Sequence, residues 1–199
     1  MVRPVPVAKA AAGFVVAPVS EPRRVILHWT AGTGRATELE RRHYHYLTQQ
    51  DGTTVSGVDI GWNLRSIPRG APRSEYAAHT RGMNSWSVGW ALCGMMGAKP
   101  GGPYGPHPIT AKQVDAALDE VAAFMRAWRL PPGRGTLFTH AEAESIHGHP
   151  QPGKWDITEL PWDRSVKDVG EWIRGEVRRR LVPVELREVR LPPRRLHGV

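Results

Sequence analysis

The chain lacks the residues that staple or span. Cys93 is the single cysteine among 199 residues, which excludes an internal disulfide and any cysteine-rich metal knuckle. No apolar run approaches the ~20 residues needed to cross a bilayer, so the sequence reads as soluble, with no transmembrane segment. Residues 10–19 faintly resemble a signal-peptide core, but the stretch is short and Pro18 interrupts it, so no cleaved signal is assigned. There is no internal repeat. Finger, RNA-recognition and helix-turn-helix signatures are also missing, so nucleic acid is not the expected partner of the net charge of +8. The basic residues gather near the front (Arg3, Lys9, Arg23, Arg24) and at the end (Arg174 to Arg195). That distribution suits an anionic envelope surface, and equally an ordinary solvated helix face and tail.

With 40% hydrophobic and 23% charged residues, the chain is long enough for one domain with a real core. Residues 23–182 are assigned to that domain, 1–22 to an N-terminal extension and 183–199, with Pro183, Pro192 and Pro193, to a basic tail. Residues 24–29 read as a buried strand ending in His28–Trp29 and followed by the turn-prone Thr30 to Gly34. A short helix is expected within 36–43. Residues 44–48 and 53–58 read as a hairpin around Asp51–Gly52, and 87–93 as a further apolar strand in which Cys93 is a buried, inert thiol. The Pro- and Gly-rich stretch 98–109 is an irregular loop. Thr110 and Gln113 form a capping box, and Val114, Ala117, Leu118, Val121, Met125 and Trp128 follow at helical spacing until Pro131–Pro132–Gly133. Residues 135–140 make the last core strand. Ser165 is expected to cap a final helix with Val166, Val169, Ile173 and Val177 on one face and arginines on the other.

Three distant pieces carry the chemistry: His28 in LHWTAG, His140 in LFTH, and Lys154–Trp155–Asp156. Two histidines at the ends of apolar runs and a later carboxylate supply the three protein ligands of a catalytic zinc (Zn2+), with the fourth position left for water. On an extended segment Lys154 shares the side of Asp156, which puts a positive charge beside the metal. His147 and His149 lie between His140 and Lys154 and are competing ligands.

These pieces, with YHYLTQQDG, the block AAHTRGMNSWSVGWALCG and ITAKQVDAAL, occur in an order that resembles the type-2 N-acetylmuramoyl-L-alanine amidases. That group includes amidase-type phage lysozymes and the peptidoglycan recognition proteins, and the resemblance covers roughly residues 24–163. It implies an α/β fold, a single domain with a central mixed β-sheet flanked by helices and a zinc site at the edge of a substrate groove. It implies His28, His140 and Asp156 as zinc ligands, the last at a position where the family uses cysteine or aspartate. Lys154 and Tyr44 match the family's catalytic lysine and tyrosine. Strand parity alone places Tyr46 on the same face as Tyr44 and does not separate the two. His79, Asn84 and Trp29 are candidate substrate contacts, with structural roles the alternative for each. Ile157 stands where the family often has proline.

The implied activity is hydrolysis of the amide between the lactyl group of N-acetylmuramic acid and L-alanine in peptidoglycan. A monomeric, bacteriolytic, endolysin-type and thus antimicrobial enzyme is the leading reading, made in the cytoplasm and acting on the cell wall. A muropeptide-recycling amidase and a non-catalytic peptidoglycan-binding module are the alternatives. Such modules tend to lose a zinc ligand, whereas all three positions are filled here.

Overall fold

A computed structural model of the chain describes residues 20–182; the assignments for residues 1–19 and 183–199 lie outside them. The strand β1 (Arg24–Trp29) forms where expected, with five consecutive buried residues. Such a run fits a central strand covered on both faces. It pairs in parallel with β4 (Ser87–Leu92) on one side and β5 (Leu137–Thr139) on the other. The strand β2 (Tyr46–Thr48) adds in parallel to β4, and β3 (Thr54–Ser56) closes the edge antiparallel to β2. The spatial order is β3-β2-β4-β1-β5. The expected α/β fold with a central mixed sheet is the observed one.

Alternation along β1 sorts its side chains. Val25, Leu27 and Trp29 join Val88, Trp90 and Leu92 in the main core beneath two helices, α2 (Ala111–Ala127) and α4 (Val169–Leu181). Thr110 and Gln113 make the reciprocal cap of α2. The same Gln113 is fully buried and its Nε2 donates to the carbonyls of Thr48 and Cys93, tying the helix to two strand ends. The opposite sheet face carries two smaller clusters, one around Ile26, Met83 and Phe138 and one around Leu47, Ala91 and Cys93. His28, fully buried, is on this second face. Burial pushes the Cys93 thiol up to about 12, so the inert-thiol reading stands.

The short helix expected within 36–43 is α1 (Glu38–Arg41), capped by Thr37 and Glu40. Two local expectations are corrected. The last helix begins at Val169 with Asp168 as its cap, while Ser165 hydrogen-bonds Asp163 instead. The cap moved because Asp168 is placed to accept from the Glu171 N–H, the preferred N-cap geometry. Nor do all the arginines of α4 face solvent: Arg174 is 3% exposed and pairs with Glu142. Among the described residues no helix is long and apolar enough to cross a membrane.

Candidate metal centre

The β1–β5 register, which pairs Leu27 with Thr139, puts His28 and His140 side by side at the carboxyl ends of neighbouring parallel strands. Open α/β sheets build their sites at that end. His140 opens a 3₁₀ turn whose backbone is held from two directions. The Glu142 carboxylate accepts from Thr139 N–H at 2.9 Å, and Ala141 N–H donates to the Asp156 carbonyl at 2.7 Å. The second bond carries Asp156 to the histidines. Trp155 packs edge-on against Trp29, centroids 4.5 Å apart, joining the two ligand segments through the residues adjacent to their ligands.

The result is a nearly equilateral triangle. His28 Nδ1, His140 Nδ1 and Asp156 Oδ2 are each 3.1 Å from the other two. The edge of a tetrahedron with metal–ligand bonds of 2.0–2.1 Å is about 3.3 Å, so these atoms form one face of such a polyhedron. All three residues are buried, and among the described residues they are the one group of three with this capacity. The competing ligands, His147 and His149, are not part of it; His147 stacks on Phe138 at 5.3 Å.

The far side of each imidazole is also engaged. His28 Nε2 lies 3.3 Å from His79 Nδ1 and 3.4 Å from Thr80 Oγ1, and His140 Nε2 lies 3.0 Å from Gln151 Oε1. With both Nε2 atoms donating outward, two lone pairs and a carboxylate oxygen converge with no proton between them. That donor set fits a divalent cation, and outward hydrogen bonds of this kind are how proteins orient metal-binding histidines.

Electrostatics agree. Burial lowers His28 to about 4, against the opposing pull of Asp156, so its ring is neutral near pH 7. Burial raises the Asp156 carboxyl, but the adjoining imidazoles of His140 and His28 outweigh it and hold the group at about 2. Burial first, then the charges of Asp156 and Glu40, push the Tyr44 phenol well above its ordinary value, so it stays protonated. The Tyr44 ring sits 5.2 Å from that of His28. Tyr46 instead packs on Trp90 and Phe124 in the main core. Parity fails to place these two together because β2 begins only at Tyr46 and the Gly89 N–H of β4 donates to the His45 ring, breaking the alternation before it. Lys154 is exposed, its ammonium without a hydrogen bond or ion pair among the described residues, and its charge reaches His28.

His79 is 6% exposed, and Asn84 Oδ1 accepts from the N–H groups of His79 and Thr80 at 3.1 and 2.9 Å. Trp29 is also 6% exposed, on the core side of β1. Sequence reasoning missed Gln151, Thr80, Glu142 and Arg174. It passed over Gly89 as well, although a glycine inside an apolar strand marks a close approach.

The fold and this cluster together define an α/β protein with a buried His–His–Asp constellation at the carboxyl ends of its parallel strands. The chain belongs to the N-acetylmuramoyl-L-alanine amidase family, whose model matches residues 18–158. Comparison with curated proteins gives no match. Among solved structures, it is similar to the N-acetylmuramoyl-L-alanine amidase LysC from Clostridium intestinale URNW, at 17% identity and a TM-score of 0.44, covering 79% of this chain and 86% of that one. It is also similar to the endolysin of Thermus scotoductus MAT2119 bacteriophage Ph2119, at 21% identity and a TM-score of 0.44, covering 82% and 86%. A Drosophila peptidoglycan recognition protein, PGRP-SD, follows at 18% identity and a TM-score of 0.41, covering 73% and 82%.

Proposed function

We propose that this protein is a zinc-dependent N-acetylmuramoyl-L-alanine amidase that cleaves the lactyl–L-alanine amide of peptidoglycan. The observation that carries the reading is the 3.1 Å triangle of two imidazole nitrogens and one carboxylate oxygen, found in a chain of the amidase family. His28, His140 and Asp156 would hold the metal.

When bound, zinc supplies Lewis acidity and activates water for attack on an unreactive amide carbonyl. The protein's own residues do the rest. Lys154, exposed and unpaired beside the cluster, stabilises negative charge developing on the carbonyl oxygen, an effect worth about 3 kcal/mol of barrier. Tyr44, kept protonated by its surroundings, donates a hydrogen bond and orients the reacting groups rather than serving as a base. His79 and Asn84 act behind the site in this reading: Asn84 folds the 79–84 loop, and that loop presents His79 to His28. Trp29 holds the ligand segments from the core side.

We assign the enzyme a lytic, endolysin-type role on the intact wall, supported by the net charge of +8, which suits work at an extended anionic surface. Purified sacculi incubated with the protein, with and without a chelator, test both parts. Metal-dependent release of intact stem peptides, detected by mass spectrometry, is expected. Cleavage of the glycan instead, or no product from sacculi or muropeptides, overturns the assignment, and cleavage of free muropeptides alone overturns the lytic role.

A further inference from the structure

We propose that Gln151 is a positioning residue that fixes the tautomer of His140 and so presents the His140 Nδ1 lone pair to the metal; the inference rests on the metal reading above. Gln151 is 6% exposed, and both ends of its amide are committed. Its Nε2 donates to the Arg81 carbonyl at 2.8 Å. A carbonyl only accepts, so the NH2 end is fixed there and Oε1 is left facing His140 Nε2 at 3.0 Å. An amide oxygen also only accepts, so the ring proton of neutral His140 resides on Nε2 and the free lone pair on Nδ1. Nδ1 is the atom 3.1 Å from Asp156 Oδ2.

The backbone of Gln151 is anchored as firmly as its side chain. Its N–H donates to Glu144 Oε2 at 3.0 Å, and its carbonyl accepts from Lys154 N–H at 3.1 Å. One residue therefore connects the 79–84 loop, the short helix α3 (Ala143–His147) and the turn leading to Lys154 and Asp156. In this light the long stretch between His140 and Lys154 serves the ligand set. A buried amide with these partners is costly to mismatch, which makes the orientation stable.

Titration of the metal-stripped full chain with Zn2+ tests this, comparing wild type, Gln151→Met and Gln151→Glu. The wild type is expected to bind one equivalent, Q151M to bind about 10–100-fold more weakly, and Q151E, whose carboxylate still accepts from Nε2–H but leaves the Arg81 carbonyl without its donor, to lose less affinity than Q151M. Equal affinity in wild type and Q151M overturns the role of Gln151 alone, as does a loss of affinity in Q151E equal to that in Q151M. A wild type that binds no Zn2+ overturns the metal reading and this inference with it. Should Q151M not fold, nitrogen–proton correlation NMR of the metal-stripped wild type decides: a His140 proton on Nε2 supports the proposal, and one on Nδ1 overturns it.

Discussion

The ring of His79 lies directly against the main chain of β4 at Gly89, where a Cβ would come within 2.5 Å of His79 Cγ. The missing side chain opens a notch in an otherwise continuous buried strand, and the notch lets His79 reach His28 Nε2 at 3.3 Å. Gly89→Ala is therefore expected to displace His79 from behind the metal ligand. Overpacking of this kind costs roughly 1–3 kcal/mol, to be read from urea unfolding of the metal-free protein. Zn2+ affinity should fall in the same variant. A substitution that alters neither quantity would show that His79 has no part in orienting His28.

Ligand and oxyanion roles separate by which quantity each substitution moves. His28→Ala and Asp156→Ala are expected to abolish hydrolysis of sacculi and to weaken Zn2+ binding together. Lys154→Ala should leave Zn2+ affinity near wild type while lowering kcat by about 10²–10³-fold, the loss typical of one preorganised charge at an oxyanion. Steady-state kinetics on a soluble muropeptide with parallel metal titration distinguish the cases. Full activity in either ligand variant contradicts the assignment.

Much of this architecture was legible in the chain because its signals are local. The apolar run RVILHW, the cap formed by Thr110 and Gln113 and the turn at Asp51–Gly52 each specify their own backbone, and β1, α2 and the β2–β3 hairpin appear accordingly. His28, His140 and Asp156 were legible as residue types at the ends of apolar runs and in a KWD motif. What sequence did not reveal depends on pairing between distant segments. The juxtaposition of His28 and His140 follows from the β1–β5 register, and that of Asp156 from a backbone bond to Ala141. Gln151 occupies an unpatterned loop, and its significance exists only once the Arg81 carbonyl is beside it. Tyr44 and Tyr46 are separated by a break in alternation that no periodicity encodes.

Buried neutral histidines make the metal-free protein acid-sensitive. His45 is 1% exposed, and burial lowers it from 6.5 to about 4. Its folded value lies below its unfolded one, so it contributes stability that is fully present above pH 6.5 and is lost as pH falls toward 4. The contribution is on the order of 3 kcal/mol. Urea midpoints of the metal-free protein should therefore decline across that window. His45→Asn, which keeps an acceptor in the place of Nδ1 for Gly89 N–H, should flatten the decline, whereas a profile as steep as wild type would locate the acid sensitivity elsewhere.

The ion pair behind β5 links the stability of the last helix to the position of a metal ligand. Arg174 of α4 grips Glu142 with Nη1 and Nη2, both 3.0 Å from Oε1, and its Nη1 also donates to the Leu137 carbonyl of β5 at 3.2 Å. Glu142 in turn accepts from Thr139 N–H and so holds the turn that begins at His140. A buried pair adds little against an apolar replacement of both partners, but breaking it by removing one partner leaves an uncompensated charge. Arg174→Leu is thus expected to cost about 3–5 kcal/mol, and Glu142→Gln, which keeps an acceptor for Thr139 N–H and leaves Arg174 paired with Glu171, distinctly less. Because the His140 turn loses its support only when Glu142 is released, Zn2+ affinity should fall in Arg174→Leu and stay closer to wild type in Glu142→Gln. Chemical unfolding and Zn2+ titration of both variants check the order. If Arg174→Leu loses stability while binding Zn2+ as tightly as wild type, α4 braces the sheet without influencing His140.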